Sequence, residues 1–197
     1  MVRGSKGDAE GAIELLEEAG GLFGVLGDVE REAETELGLS ETLTTHGRPQ
    51  EAIDPALRGL ALLREVGADT LIAHAFLATA RAESGDFAGG VRELGEALEA
   101  IPKAERAAVD RFCVYVAKFA TEAGLYEEAA NLMAYAGLRG DGPTYVGHLS
   151  DTVTRRVVAE LSEHLPEWSK VAVEHEYRHP AQVVPLIQAI LGQLMRR

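Results

Sequence analysis

Apolar and small residues recur along this chain at helical intervals, and glycines interrupt the pattern at nearly even spacing. The clearest stretch follows Gly85. There Phe87, Val91, Leu94, Leu98 and Ile101 succeed one another at +4, +3, +4 and +3, which places them on one helical face. Pro102 comes next and, lacking a backbone N–H, is predicted to stop that helix. Three other segments align with this one: GDAEGAIELLEEA from Gly7, GRPQEAIDPALRGL from Gly47 and GLYEEAANLMAYAG from Gly124. The four glycines stand 40, 38 and 39 residues apart. Between them the pattern predicts second helices over roughly 29–45, 69–84 and 104–123. Asp28 and Asp69 are placed as N-caps of the first two, and Pro102 with Lys103 opens the third. Ala75, Ala78, Ala80, Ala117 and Ala120 line these helices with small side chains, which lets neighbours approach closely. Pro55 interrupts the helix after Gly47 and predicts a kink there, at a cost of up to about 3 kcal/mol for an interior proline. An all-α chain of antiparallel helix hairpins follows, repeating about every forty residues.

The stretch GDFAGGVRELGEALEAIP resembles the second helix of a tetratricopeptide repeat, through its Gly-Asp-aromatic turn, small Gly90, Leu94, Ala97 and terminal Pro102. Leu77 and Ala78 stand where that family prefers Leu-Gly, and Tyr126, Ala129, Met133 and Ala136 continue the match. Gly59 occupies a position the family usually fills with alanine. The period is longer than the family's usual one. It is similar to the repeats that close large ATP-linked bacterial transcriptional regulators related to the maltose activator. The C-terminal order also resembles those regulators: a polar loop at GDGPTY, a helix near 151–164, Trp168, a turn at Glu176-Tyr177-Arg178 and a final short helix. The resemblance implies a right-handed α-solenoid of about three and a half hairpins over residues 1–140, the first incomplete, with capping helices over 141–197. It further implies a protein-interaction or effector-sensing module, the C-terminal part of such a regulator, or a plain assembly scaffold.

Composition narrows the partners. The chain has 197 residues and a net charge of −13, which repels phosphate backbones and anionic membranes. The lone Cys113 allows no internal disulfide, and MVRGSKGDAE has no apolar signal region, so a cytoplasmic setting is expected. No run approaches the length of a membrane span.

One string points to different chemistry. HEYRH, at 175–179, fits H-E-x-x-H, in which two histidines one turn apart bind zinc and the glutamate activates water. A zinc-dependent hydrolase using His175, Glu176 and His179 is therefore the alternative reading. A third ligand would have to come from upstream, from His148 or His164, because PAQVVPLIQAILGQLMRR supplies no Asp, Glu, His or Cys. Pro180 directly after His179 also disfavours a helix through the motif. No metal, cofactor or catalytic residue is assigned. Cys113 reads as a buried thiol on an apolar stripe, His74 as a core or interface histidine, and GDGPTYVG lacks the Gly-Lys-Ser/Thr of a phosphate cradle.

A partner-binding surface is expected on the first helices of the hairpins, whose outward positions line the concave side of such arrays. Mapping the repeat pattern places Glu34, Glu41 and Thr45 there, then Thr79 and Glu83, then Arg111, Lys118 and Glu122. The ligand is expected to be a protein or peptide, with a small-molecule effector as the alternative. The first repeat segment starts after only six residues, too few for a pairing helix. Ile13, Leu15, Leu16, Leu22 and Phe23 are therefore expected to be partly uncovered, predicting an upstream domain or self-association through this face.

Overall fold

A computed structural model describes residues 6–137, 151–168 and 180–196. Among them there are helices and turns and no strand. The helices are α1 Lys6–Leu26, α2 Val29–Thr45, α3 Pro49–Val66, α4 Leu71–Glu83, α5 Phe87–Glu96, α6 Arg106–Glu122, α7 Tyr126–Tyr135, α8 Asp151–His164 and α9 Val184–Leu194. None of the described helices is long and apolar enough to cross a membrane.

One local device makes most of the chain reversals. Gly27, Gly47, Gly67, Gly85 and Gly124 each adopt positive φ just past a helix end, where a Cβ would clash with the backbone. At each, the next residue's N–H returns to the carbonyl five residues earlier: Asp28 to Phe23, Arg48 to Leu43, Ala68 to Leu63, Asp86 to Arg81 and Leu125 to Ala120. This closure satisfies carbonyls that a helix end would otherwise leave open. The periodic glycines of the sequence thus mark the three tight turns α2–α3, α4–α5 and α6–α7. Gly7 is different: it lies inside α1, which continues to Leu26 and is closed by Gly27.

Start signals act largely as the side chains dictate. Asp28 caps α2 by accepting the Arg31 N–H, and Asp86 accepts the Gly89 N–H at 2.8 Å. Asp69 stands one residue before the N-cap, Thr70, and its carboxylate takes the Leu71 N–H at 2.9 Å. Pro102 neither ends α5 nor opens α6. The α-helix closes at Glu96, and Ala97–Glu99 and Ile101–Lys103 form 3-10 turns before α6 begins at Arg106. Pro55 is buried inside α3, which runs unbroken from Pro49 to Val66. Asp28→Ala should cost about 1 kcal/mol through loss of the cap, read as a lower urea midpoint with unchanged slope.

The described residues divide into two compact units at Glu93/Leu94, within α5. In the first, α1 packs on α2, α2 on α3, and α4 against both α2 and α3. Ile13, Leu39, Leu43, Ala52 and Ala80 form an apolar cluster, with Leu16 and Ile53 at its margin. α2 and α3 approach closely at Gly59. A Cβ there would lie 2.8 Å from Leu37 Cγ and 3.1 Å from the Ala33 carbonyl oxygen. In the second unit, α6 is the central element, with α7, α8 and α9 all packed on it. Every residue from Phe112 to Thr121 is buried, Ala117 and Ala120 among them. Arg106 fastens α6 to α7 by donating to the Tyr135 carbonyl at 2.8 Å while its guanidinium lies 4.3 Å from the Tyr135 ring centre.

Candidate functional site

Two polar constellations lie in otherwise apolar surroundings, one in each unit. In the second unit, Arg111, Tyr115, Lys118 and Glu122 follow at +4, +3 and +4 along α6, so they share one face of it. Lys118 is only 2% exposed although it carries a charge. Its Nζ lies 3.0 Å from Glu122 Oε1, and Arg156 of α8 reaches the same oxygen at 3.0 Å. One carboxylate therefore bridges two cations. Arg111 is half-buried, and its Nε is buried without a hydrogen-bond partner among the described residues.

In the first unit, His74 of α4 is 3% exposed and lies between α3 and α5. Its Nδ1 is 3.1 Å from Glu93 Oε2, and its Nε2 is 3.3 Å from Arg64 Nη2. A guanidinium can only donate, so Nε2 accepts and the ring hydrogen sits on Nδ1, donated to Glu93. Arg81 Nη2 approaches the other Glu93 oxygen at 3.2 Å. Burial pushes the Glu93 carboxyl up, but the His74 hydrogen bond and the charge of Arg81 outweigh it and hold the carboxyl below its ordinary value. Histidine and glutamate are metal-ligand types, yet guanidinium groups occupy the positions beside both. The arrangement is a hydrogen-bonded pin joining three helices.

The remaining partner-site residues of the first unit are scattered in character. Glu34, Glu41 and Thr45 share a face of α2, with Glu34 and Thr45 exposed and Glu41 half-buried. Glu83 is exposed at the end of α4. Thr79 is buried and donates its hydroxyl to the Ala75 carbonyl at 2.8 Å, so its oxygen serves its own helix. Sequence reasoning passed over Tyr115 and Arg156. Tyr115 reads as one more apolar residue of a core helix. Arg156 lies in a helix whose sequence shows no clear match to the repeat.

The other chemical candidates are quieter. Burial, with Asp110 nearby, pushes the Cys113 thiol well up, which keeps it protonated and unreactive. His164 stacks on Tyr126 with ring centres 4.4 Å apart and an interplanar angle of 9°. Trp168 is buried. HEYRH, the Glu176-Tyr177-Arg178 turn, His148 and the GDGPTY loop lie outside the described residues. No family model, no curated protein and no solved structure matches this chain.

Proposed function

We propose that the chain is a tetratricopeptide-like interaction module, a right-handed α-solenoid that binds a protein or peptide, or senses an effector, as the C-terminal part of a bacterial ATP-linked transcriptional regulator. The observation that carries this reading is the repetition of one turn. Gly47, Gly85 and Gly124 hold the same left-handed conformation with the same return hydrogen bond, between helices of matching order. Stacked hairpins of this kind offer an extended surface of first-helix side chains.

Within that reading, Arg111 and Glu122, with Arg156 beside Glu122, are the accessible groups offered for contact, since Tyr115 and Lys118 between them are buried. Holding Lys118 in a nearly dry setting costs desolvation, against which the Glu122 bridge works. Arg111, half-buried on this row, is the group offered to a partner carboxylate. The α2 face, with Glu34 and Glu41, favours basic groups instead. No enzymatic activity is assigned.

Affinity capture from a bacterial lysate, quantified against the Arg111→Ala/Arg156→Ala double variant, tests the proposal. A defined set of proteins should be retained by the wild type and reduced at least about tenfold by the variant, a loss on the order of 1.4 kcal/mol. Equal retention by both, with matched circular dichroism and melting, would reject the α6 row as the contact strip.

A further inference from the structure

α1 carries a second surface that the interaction reading above does not use. Its inner face is satisfied: Ala9 and Ile13 are buried, and Leu16 is half-buried against the apolar cluster. Its outer flank is not. Leu15 is 67% exposed, Leu22 58%, Leu26 75% and Val25 87%. Leu15, Leu22 and Leu26 are spaced by seven and four residues, so they form a single row along the helix. Open space surrounds Gly11 and Gly21, where an added Cβ would meet no atom within 4 Å.

One edge of this row is acidic. Glu14 and Glu18, four residues apart, run along it and are both exposed, while Glu10 turns away to pair with Arg48 at 3.0 Å and Glu17 lies on the far side of the helix. Lys6 is the lone basic residue in the α1 sequence. A second copy of α1 laid parallel on the row would set Glu14 and Glu18 beside their own counterparts. A helix bearing an apolar row edged by lysine or arginine would bury the leucines and pair the glutamates together. We propose that the outer flank of α1 docks a basic amphipathic helix of a partner protein. The apolar row supplies affinity, and the acidic border selects the sign of the partner and speeds encounter at low salt.

The test uses the full chain and two synthetic helical peptides with the same leucine spacing, one carrying lysines at its polar positions and one carrying glutamates. The Leu/Lys peptide should bind at least about tenfold more tightly than the Leu/Glu peptide and weaken as salt is raised. Its binding should slow hydrogen exchange along α1. Leu15→Ser/Leu22→Ser keeps the net charge and should weaken the Leu/Lys peptide about tenfold or more. Both leucines are exposed, so the fold should survive, with circular dichroism as the check. Three results would overturn the proposal: no difference between the peptides, Leu/Lys binding indifferent to the serine substitutions, or a stable homodimer by light scattering that those substitutions dissolve.

Discussion

Glu93→Ala should lower the stability of the folded chain by about 3 kcal/mol, the lower end of the range for breaking a buried ion pair. Glu93 is the only acceptor holding both the His74 Nδ1 hydrogen and an Arg81 guanidinium among the bonds described for this cluster. Removing it strands a buried imidazole hydrogen and one arm of Arg81. Arg81 retains some solvent access, with its side chain 27% exposed, which keeps the loss from reaching the upper end. Urea denaturation measures the effect directly; a loss below about 1 kcal/mol would mean that the cluster contributes no more than an exposed pair. The pH dependence follows from the same geometry. The folded-state carboxyl lies below its ordinary value, so the native state favours the deprotonated form. That contribution is fully present above the unfolded carboxylate range and is lost as pH falls through the folded value. Glu93→Gln should flatten this part of the acid limb.

Gly59→Ala should destabilise the chain by about 1–2 kcal/mol, even though alanine is about 1 kcal/mol better than glycine in a helix interior. The new Cβ would meet Leu37 Cγ at 2.8 Å and the Ala33 carbonyl at 3.1 Å, and neither is the free end of a flexible side chain. Gly59→Leu should cost more than about 3 kcal/mol by forcing α2 and α3 apart. Gly21→Ala is the control. No atom crowds that position, and the helix preference alone should raise stability by about 0.5–1 kcal/mol. Thermal melts of the three variants should therefore fall on both sides of the wild type. Adding Leu37→Ala to Gly59→Ala should shrink the clash, a non-additive result expected of touching side chains.

Much of the helix plan was legible because its signals are local. Asp28, the glycines at 47, 85 and 124, and the +4/+3 spacing of Val91 and Leu94 all act within a turn or two of themselves. The misreadings came from competition between local signals and packing. Gly7 resembled a turn glycine, but the apolar run beyond it carries α1 straight through. Pro55 resembled a breaker, but α3 continues past it with Ala52 and Ala56 packed at full burial on either side. The Gly59 position looked like a weakened alanine, whereas the distance to Leu37 makes the missing methyl a requirement. The candidate sites were less legible. Arg111, Lys118 and Glu122 were placed together by mapping the repeat pattern, but the depth of Lys118 and the approach of Arg156 depend on how α8 lies against α6. The His74–Glu93 bond joins residues nineteen apart on different helices, and no periodicity announces it.

The recurrent glycine reversals also bear on how the molecule reaches its native state. Several helices close against their immediate successors, α2 on α3 and α6 on α7 among them, so much of the native structure can form between segments close along the chain. Loop closures of that length are quick, and helical proteins dominated by such contacts fold within microseconds to milliseconds. A newly made hairpin would thus have a docking partner almost as soon as it left the ribosome, with little time for its greasy side to find a stranger.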